Sequence, residues 1–397
     1  MPEKPTSPQK ITLTEEKEGA SSAQKLLGLD HLRAFAIVYV MLFHYQYFAH
    51  PNWVTNIAPF GWTGVDLFFV LSGYLIAGQL FATIASGKQI SLIEFFTKRF
   101  FRIIPPFLVI VALYFLFPVL REWGQPSPLW RYLTFTLNFG LDLSKYGTFS
   151  HAWSLCVEEQ FYLVLPLICL LFVYLKQGAK AKYLLIVLFV GGFFLRLWNW
   201  DHFMVPVLSS PNAGLVWNEY IYYPTYNRLD GLLVGVSIAG LFTFYPKVKA
   251  YFNRYSIPAL LSGVVLLVFS AIVCKDYHNF NTAIWGFPMI ALGYGLILAA
   301  VVCPNNPLFK LRSFITARIA TLSYAMYLCH KIVIHVVQLL LGKIGMDTNS
   351  NMVMLLCFAA IILAATLMRY IIEKPALNWR NKVLKRFTAN LKPGLSI

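Results

Sequence analysis

The chain has 397 residues, of which 58% are hydrophobic and 13% charged, with a mean hydropathy of +0.61. A soluble globule needs a polar surface that this composition does not supply, so soluble enzymes and soluble binding modules are excluded. The net charge of +16 does not mark a nucleic-acid partner, because the basic residues are sorted by segment as a membrane sorts them.

Residues 1–27 set Glu3, Glu15, Glu16 and Glu18 against Lys4, Lys10, Lys17 and Lys25 and read as a disordered tail. The tail lacks an apolar core of its own, and no cleaved signal peptide is expected. Apolar stretches follow at 32–49, 64–81, 103–119, 157–175, 183–198, 229–246, 256–274, 284–302, 319–339 and 352–372. Such lengths, separated by charged or turn-rich segments, predict an all-α polytopic membrane protein with about ten transmembrane helices. A weaker segment near 129–140 is expected to be interfacial. One membrane domain over 28–380 is expected, then a basic tail over 381–397. Alternate connecting segments hold 23 Lys and Arg, and the intervening ones hold 6. This bias predicts that both termini are cytoplasmic. The six cysteines contain no Cys-x-x-Cys pair, so neither a disulfide framework nor a metal site is expected.

Polar residues inside the spans carry the functional reading. Arg33 and His44 lie eleven residues apart in the first span, which returns them to nearly one face about 16 Å apart. Both are expected to face one cleft, Arg33 at its cytoplasmic mouth and His44 about two-thirds of the way across. Arg99 and Arg102 lie one helical turn apart in the inner loop after the second span, a spacing that suits phosphate oxygens and equally suits a charge anchor. The fourth span opens with His151, Trp153 and the adjacent carboxylates Glu158 and Glu159. Carboxylates entering an apolar helix are costly unless used, and Glu158, seven residues from His151, is expected on the same face at a level near His44. Asp66, His151, Trp153, Tyr327 and His330 are acceptor-side or structural positions. Asp230 and Arg228 are expected to be structural.

Several of these residues stand in motifs that occur in order. They are Leu29-Asp30-His31-Leu32-Arg33 with ten residues to His44, Gly64-Val65-Asp66-Leu67-Phe68-Phe69-Val70-Leu71-Ser72-Gly73-Tyr74, Arg99-x-x-Arg102-Ile103-Ile104-Pro105, His151-x-Trp153-Ser154-Leu155-x-Val157-Glu158-Glu159-Gln160-Phe161-Tyr162, and Glu373-Lys374-Pro375. From Gly28 to Arg380 the chain resembles the type 3 membrane acyltransferases, bacterial enzymes that O-acylate surface polysaccharides and some antibiotics. His31 departs from the small residue common in that family before Leu-Arg. The resemblance implies a bacterial inner-membrane O-acyltransferase, most simply an O-acetyltransferase. Its donor would be cytoplasmic acetyl-CoA or another acyl-CoA as co-substrate, with no resident cofactor and no metal. Its acceptor would be an exported or lipid-linked sugar or polysaccharide.

By the same resemblance His44 is the catalytic base, the Glu158–Glu159 pair supplies its partner, and Arg33, Arg99 and Arg102 bind the donor. A C-terminal SGNH esterase-like domain is not expected, which points to the members that modify lipopolysaccharide or exopolysaccharide. A transporter of lipid-linked sugar or acyl groups, and an acyltransferase for a small antibiotic such as a macrolide, are the rival readings.

The charge bias makes a direct prediction. A cysteine introduced at Trp53 or Asn279 should react with an impermeant maleimide on intact cells. One at Gln177 or Ser313 should react only after permeabilisation, and labelling at Gln177 in sealed cells would invert the topology.

Overall fold

The computed structural model describes residues 27–390. The tail expected over 1–27 lies outside the described residues except for Leu27, and so does the end of the basic tail. The described chain is helical throughout and contains no β-strand, only an isolated bridge between Pro126 and Thr148. The principal helices are α1 (Leu27–Tyr45), α2 (Gly64–Ala85), α3 (Leu92–Leu116), α4 (Trp153–Tyr174), α5 (Ala181–Asn199), α6 (Asp230–Phe244), α7 (Pro246–Arg254), α8 (Ser256–Val273), α9 (Phe287–Val301), α10 (Phe314–Lys343), α11 (Asn351–Met368) and α12 (Lys374–Asn390). Among the described residues nine helical segments are long and apolar enough to cross a membrane. Helices α6 and α7, bent by 106°, make a tenth when taken as one span. The protein is an all-α integral membrane protein, as its hydropathy predicts.

Boundaries differ from the sequence reading where local chemistry intervenes. Helix α3 begins at Leu92, well before the apolar run, because the Ser91 side chain accepts from the Glu94 backbone N–H at 3.2 Å and caps the helix start. Arg99 and Arg102 therefore stand on a helix and not in the expected loop. Helix α6 stops at Phe244 because a residue before proline is driven out of the helical region, and Tyr245, before Pro246, has φ −127° and ψ 79°. Residues 374–390 form helix α12 where a tail was expected from 381. The segment at 129–140 holds only a five-residue helix, Leu129–Leu133.

Two features set the packing. Helices α2 and α6 cross so closely that a Cβ on Gly73 would lie 2.2 Å from the Leu232 carbonyl oxygen, and one on Gly235 would lie 2.2 Å from that of Val70. Small residues allow this approach, which is how helices associate where lipid supplies no hydrophobic drive. Two buried ion pairs then lock neighbouring elements together. Arg228 Nη2 donates to Asp66 Oδ1 at 2.7 Å, and Arg196 Nη1 donates to Asp230 Oδ2 at 2.7 Å and to the Asn227 carbonyl at 3.0 Å. The Arg228 guanidinium also lies 4.0 Å from the centre of the Phe287 ring and 4.6 Å from that of Tyr222, an aromatic box for a cation. The Asp66–Arg228 and Asp230–Arg196 pairs tie α2 and α5 to the start of α6 and hold these elements in register.

Substituting the crossing glycines should be costly and local. Gly73→Val and Gly235→Val should each destabilise the protein by about 1–3 kcal/mol or more. Gly78→Ala, on the same helix with nothing within 4 Å of its added Cβ, should be neutral. Thermal unfolding of the detergent-purified chain reads all three.

Candidate active site

The residues singled out by sequence separate into two groups. The first surrounds a cavity of about 170 Å³ between α1, α2, α3, α4 and α10. Arg33, Arg99 and Arg102 line it together with Glu158, Glu159, Gln79 and Tyr162. Arg99 Nη2 donates to Gln79 Oε1 at 3.1 Å, and its guanidinium lies 5.6 Å from the centre of the Tyr162 ring. Glu158 accepts from Ser72 Oγ at 3.1 Å and from the Tyr162 hydroxyl at 2.9 Å. Asp30 lies 3.8 Å from Arg33 at the edge of the cavity, so three guanidiniums and three carboxylates crowd a confined space, with the three guanidiniums set close enough to repel one another. An anion with several oxygens relieves that repulsion and uses the planar donors of arginine.

The second group is a histidine cluster at the far end of α1. His44 occupies the last turn of that helix, later in the span than expected because the helix ends at Tyr45. Its Nδ1 lies 2.9 Å from Nε2 of His330 on α10. His151 completes the cluster, with its ring centre 4.8 Å from that of His330 and 5.7 Å from that of His44. His330 and His151 are buried while His44 is half-buried, so His44 is the most accessible of the three rings. Neither ring nitrogen of His151 has a side-chain hydrogen-bond partner among the described residues, and the backbone polar group close to the ring is at Leu328. A buried imidazole without side-chain partners beside an accessible one is a place for a polar ligand atom. Among the described residues no group of three His, Cys, Asp or Glu side chains is arranged to hold a metal ion.

The backbone that presents His151 is strained. Phe149 has φ +54°, in the left-handed region that a bulky residue avoids. The conformation is held by its ring, 5.1 Å from Tyr114 and 5.6 Å from Tyr132, and by its N–H, which donates to Glu122 Oε1 at 3.3 Å. A 3₁₀ turn over Ser150–Ala152 follows, and α4 starts at Trp153. Seven residues along that helix carry Glu158 about 10 Å from the level of His151. This corrects the expectation that Glu158 and Glu159 partner His44. The carboxylates belong to the basic cavity, and the hydrogen-bond partner of His44 is His330.

Tyr327 and Ser154 form the boundary between the two groups. Both line the cavity, and the Tyr327 hydroxyl donates to the His151 carbonyl at 2.7 Å while lying 2.6 Å from Ser154 Oγ. His44 is not among the residues that line the cavity, so this cavity alone does not join Arg33 to His44, and Tyr327 and Ser154 stand between them. Trp153 is buried against Phe69, Tyr222 and Tyr223 and supports the wall from behind.

An ion pair absent from the sequence reading lies next to the cluster. Lys331 Nζ is 3.1 Å from Glu122 Oε1, both side chains are buried, and Nζ lies 4.5 Å from the centre of the Trp123 ring. A lysine inside an apolar span was the available signal. Nothing in the 119–156 segment singled out Glu122 as its partner.

A membrane-embedded chain with a basic cavity and an imidazole pair at opposite ends of one helix has the parts of an acyl-transfer site. Residues 26–370 match the acyltransferase domain family, and the chain belongs to that family, the type 3 membrane acyltransferases that its motifs resemble. It is 28% identical over 324 residues to the peptidoglycan O-acetyltransferase OatA of Listeria monocytogenes, covering 76% of this chain and 48% of the relative. It is 26% identical over 329 residues to the O-acetyltransferase OatA of Staphylococcus aureus, covering 78% of this chain and 50% of the relative. The chain thus spans about half the length of these curated relatives. No solved structure matches it.

Proposed function

We propose that this protein is a bacterial inner-membrane O-acetyltransferase that moves an acetyl group from acetyl-CoA on the cytoplasmic side to a hydroxyl of a cell-surface glycan on the other. The observation that carries the proposal is the division of one helix between two chemistries. Arg33 lies in an anion-attracting cavity, and His44, about 16 Å further along, lies in a cluster of imidazoles. Donor and acceptor therefore approach from opposite faces. Charge bias supports the cytoplasmic placement of the arginines. The name of the Listeria monocytogenes relative favours peptidoglycan as the acceptor class over lipopolysaccharide or exopolysaccharide.

In this mechanism Arg33, Arg99 and Arg102 hold the coenzyme phosphates, and the pantetheine arm passes the Tyr327–Ser154 wall to bring the thioester to His44. His44 takes the proton of the glycan hydroxyl as its oxygen bonds to the acetyl carbonyl carbon. The tetrahedral intermediate collapses with cleavage of the carbon–sulfur bond, and the coenzyme sulfur leaves with the electron pair and receives the proton that His44 holds. His151, whose ring nitrogens have no side-chain partner among the described residues, is the group available to donate to the carbonyl oxygen as it becomes negative. Glu158 orients Tyr162 and Ser72 and offsets the guanidinium charge when the donor is absent. Lipid surrounds the exposed apolar faces, among them Leu163, Val187 and Val265.

The two ends should give different kinetic signatures. His44→Ala should lower kcat by about 10²–10⁴-fold. Arg99→Ala and Arg102→Ala should raise the KM for acetyl-CoA by about tenfold with a smaller change in kcat, because contacts remote from the thioester bind ground and transition states alike. Coenzyme release by purified protein, with a glycan fragment as acceptor, measures both. An active His44→Ala enzyme removes the base, and unchanged KM values reduce the arginines to charge anchors.

A further inference from the structure

The hydrogen bonds around His330 determine where the protons on the imidazole pair lie. Nδ1 of His330 is 2.7 Å from the Tyr327 carbonyl oxygen and 3.2 Å from that of Met326. A carbonyl only accepts, so this nitrogen carries the proton. The lone pair of the neutral ring is then at Nε2, the atom that lies 2.9 Å from His44 Nδ1. His44 Nδ1 must donate into it, and the lone pair of the neutral His44 ring is left at Nε2. The alternative is a doubly protonated His330 that donates to His44. It would add a second cation beside Lys331 in a buried site whose carboxylate, Glu122, is already committed to that lysine.

We infer that His330 is a positioning residue, fixing His44 as its Nδ1–H tautomer so that Nε2 is the nitrogen that takes the proton of the acceptor hydroxyl. The inference rests on the reading of His44 as general base and adds the element that sets its orientation. His330 is fully buried and acts through His44. Its place corresponds to that of the buried carboxylate in a serine protease triad, where loss of the orienting group leaves the wrong tautomer. Here a neutral backbone-anchored imidazole does the same without bringing a charge into the membrane. The anchor is local, because Met326, Tyr327 and His330 lie within about one turn of α10.

The test uses the full chain in lipid vesicles with acetyl-CoA and a glycan fragment. His330→Leu removes the side-chain acceptor for His44 Nδ1–H and leaves only the Val40 backbone near the ring, whereas His330→Gln can place an amide oxygen near the lost nitrogen. His330→Leu should lower kcat about 100-fold or more with the KM for acetyl-CoA nearly unchanged, and His330→Gln should recover about tenfold of that loss. In the wild-type protein, ring ¹⁵N shifts of His44 should show a protonated Nδ1 and an unprotonated Nε2. His44 protonated at Nε2 would overturn the inference, as would a fully active His330→Leu enzyme alongside an inactive His44→Ala one. An active His44→Ala enzyme would instead overturn the general-base reading itself. Should His330→Leu fail to fold, the wild-type ¹⁵N tautomer alone decides.

Discussion

Every polar side chain placed among membrane-spanning helices must find its partner inside the protein, because the hydrocarbon offers none. Most of this fold follows from how that requirement is met. Asp66 is met by Arg228, Asp230 by Arg196 and Glu122 by Lys331, and each pair ties elements distant in sequence. Breaking such a pair by removing one partner costs about 3–5 kcal/mol, so these contacts act as register pins for the helices around them. Against this paired background the departures identify the site. Three guanidiniums share one cavity, where Asp30 lies 3.8 Å from Arg33, and the buried His151 ring has no side-chain hydrogen-bond partner among the described residues.

Helices α1 and α10 connect the two departures. Helix α1 carries Arg33 at the cavity and His44 at the cluster, while α10 carries Tyr324 and Tyr327 on the cavity wall and His330 beyond it. The Tyr324 hydroxyl donates to the Ile103 carbonyl at 2.8 Å, which fixes α10 to the helix bearing Arg99 and Arg102. A single pair of helices therefore sets the separation of the basic cavity and the histidine cluster, and Tyr327 stands between them. Outside the wall, Trp123 and the exposed Tyr47 pack edge to face with ring centres 6.2 Å apart.

Much of this was legible in the sequence because membrane insertion writes strong signals. Each expected apolar stretch holds a helix, and the rarity of charge in spans marked Asp66, Arg228 and Asp230 as residues needing partners. The family was legible from motif order. Partner assignment within the site was not. Placing Glu158 near His44 treated residues 151–158 as one helix face, whereas that face descends about two turns and leaves His151, not Glu158, at the level of His44. His330 lies 286 residues from His44 in sequence, so no periodicity could pair them. Glu122 was invisible for the same reason, since its role depends on a loop folding back over Lys331. The ends of α1 and α3 shifted because a terminating turn and a serine cap outweighed hydropathy at those positions.

The central claim is that one site takes its donor from one side of the membrane and its acceptor from the other. Purified protein should be reconstituted in one orientation in sealed vesicles, with acetyl-CoA confined to the face bearing Arg99 and Arg102 and a glycan fragment confined to the opposite face. The account predicts acetylated glycan in the acceptor compartment and free coenzyme thiol in the donor compartment, in equal amounts. Glycan acetylated only when both substrates share a compartment, or acetyl-CoA carried across intact, would contradict it.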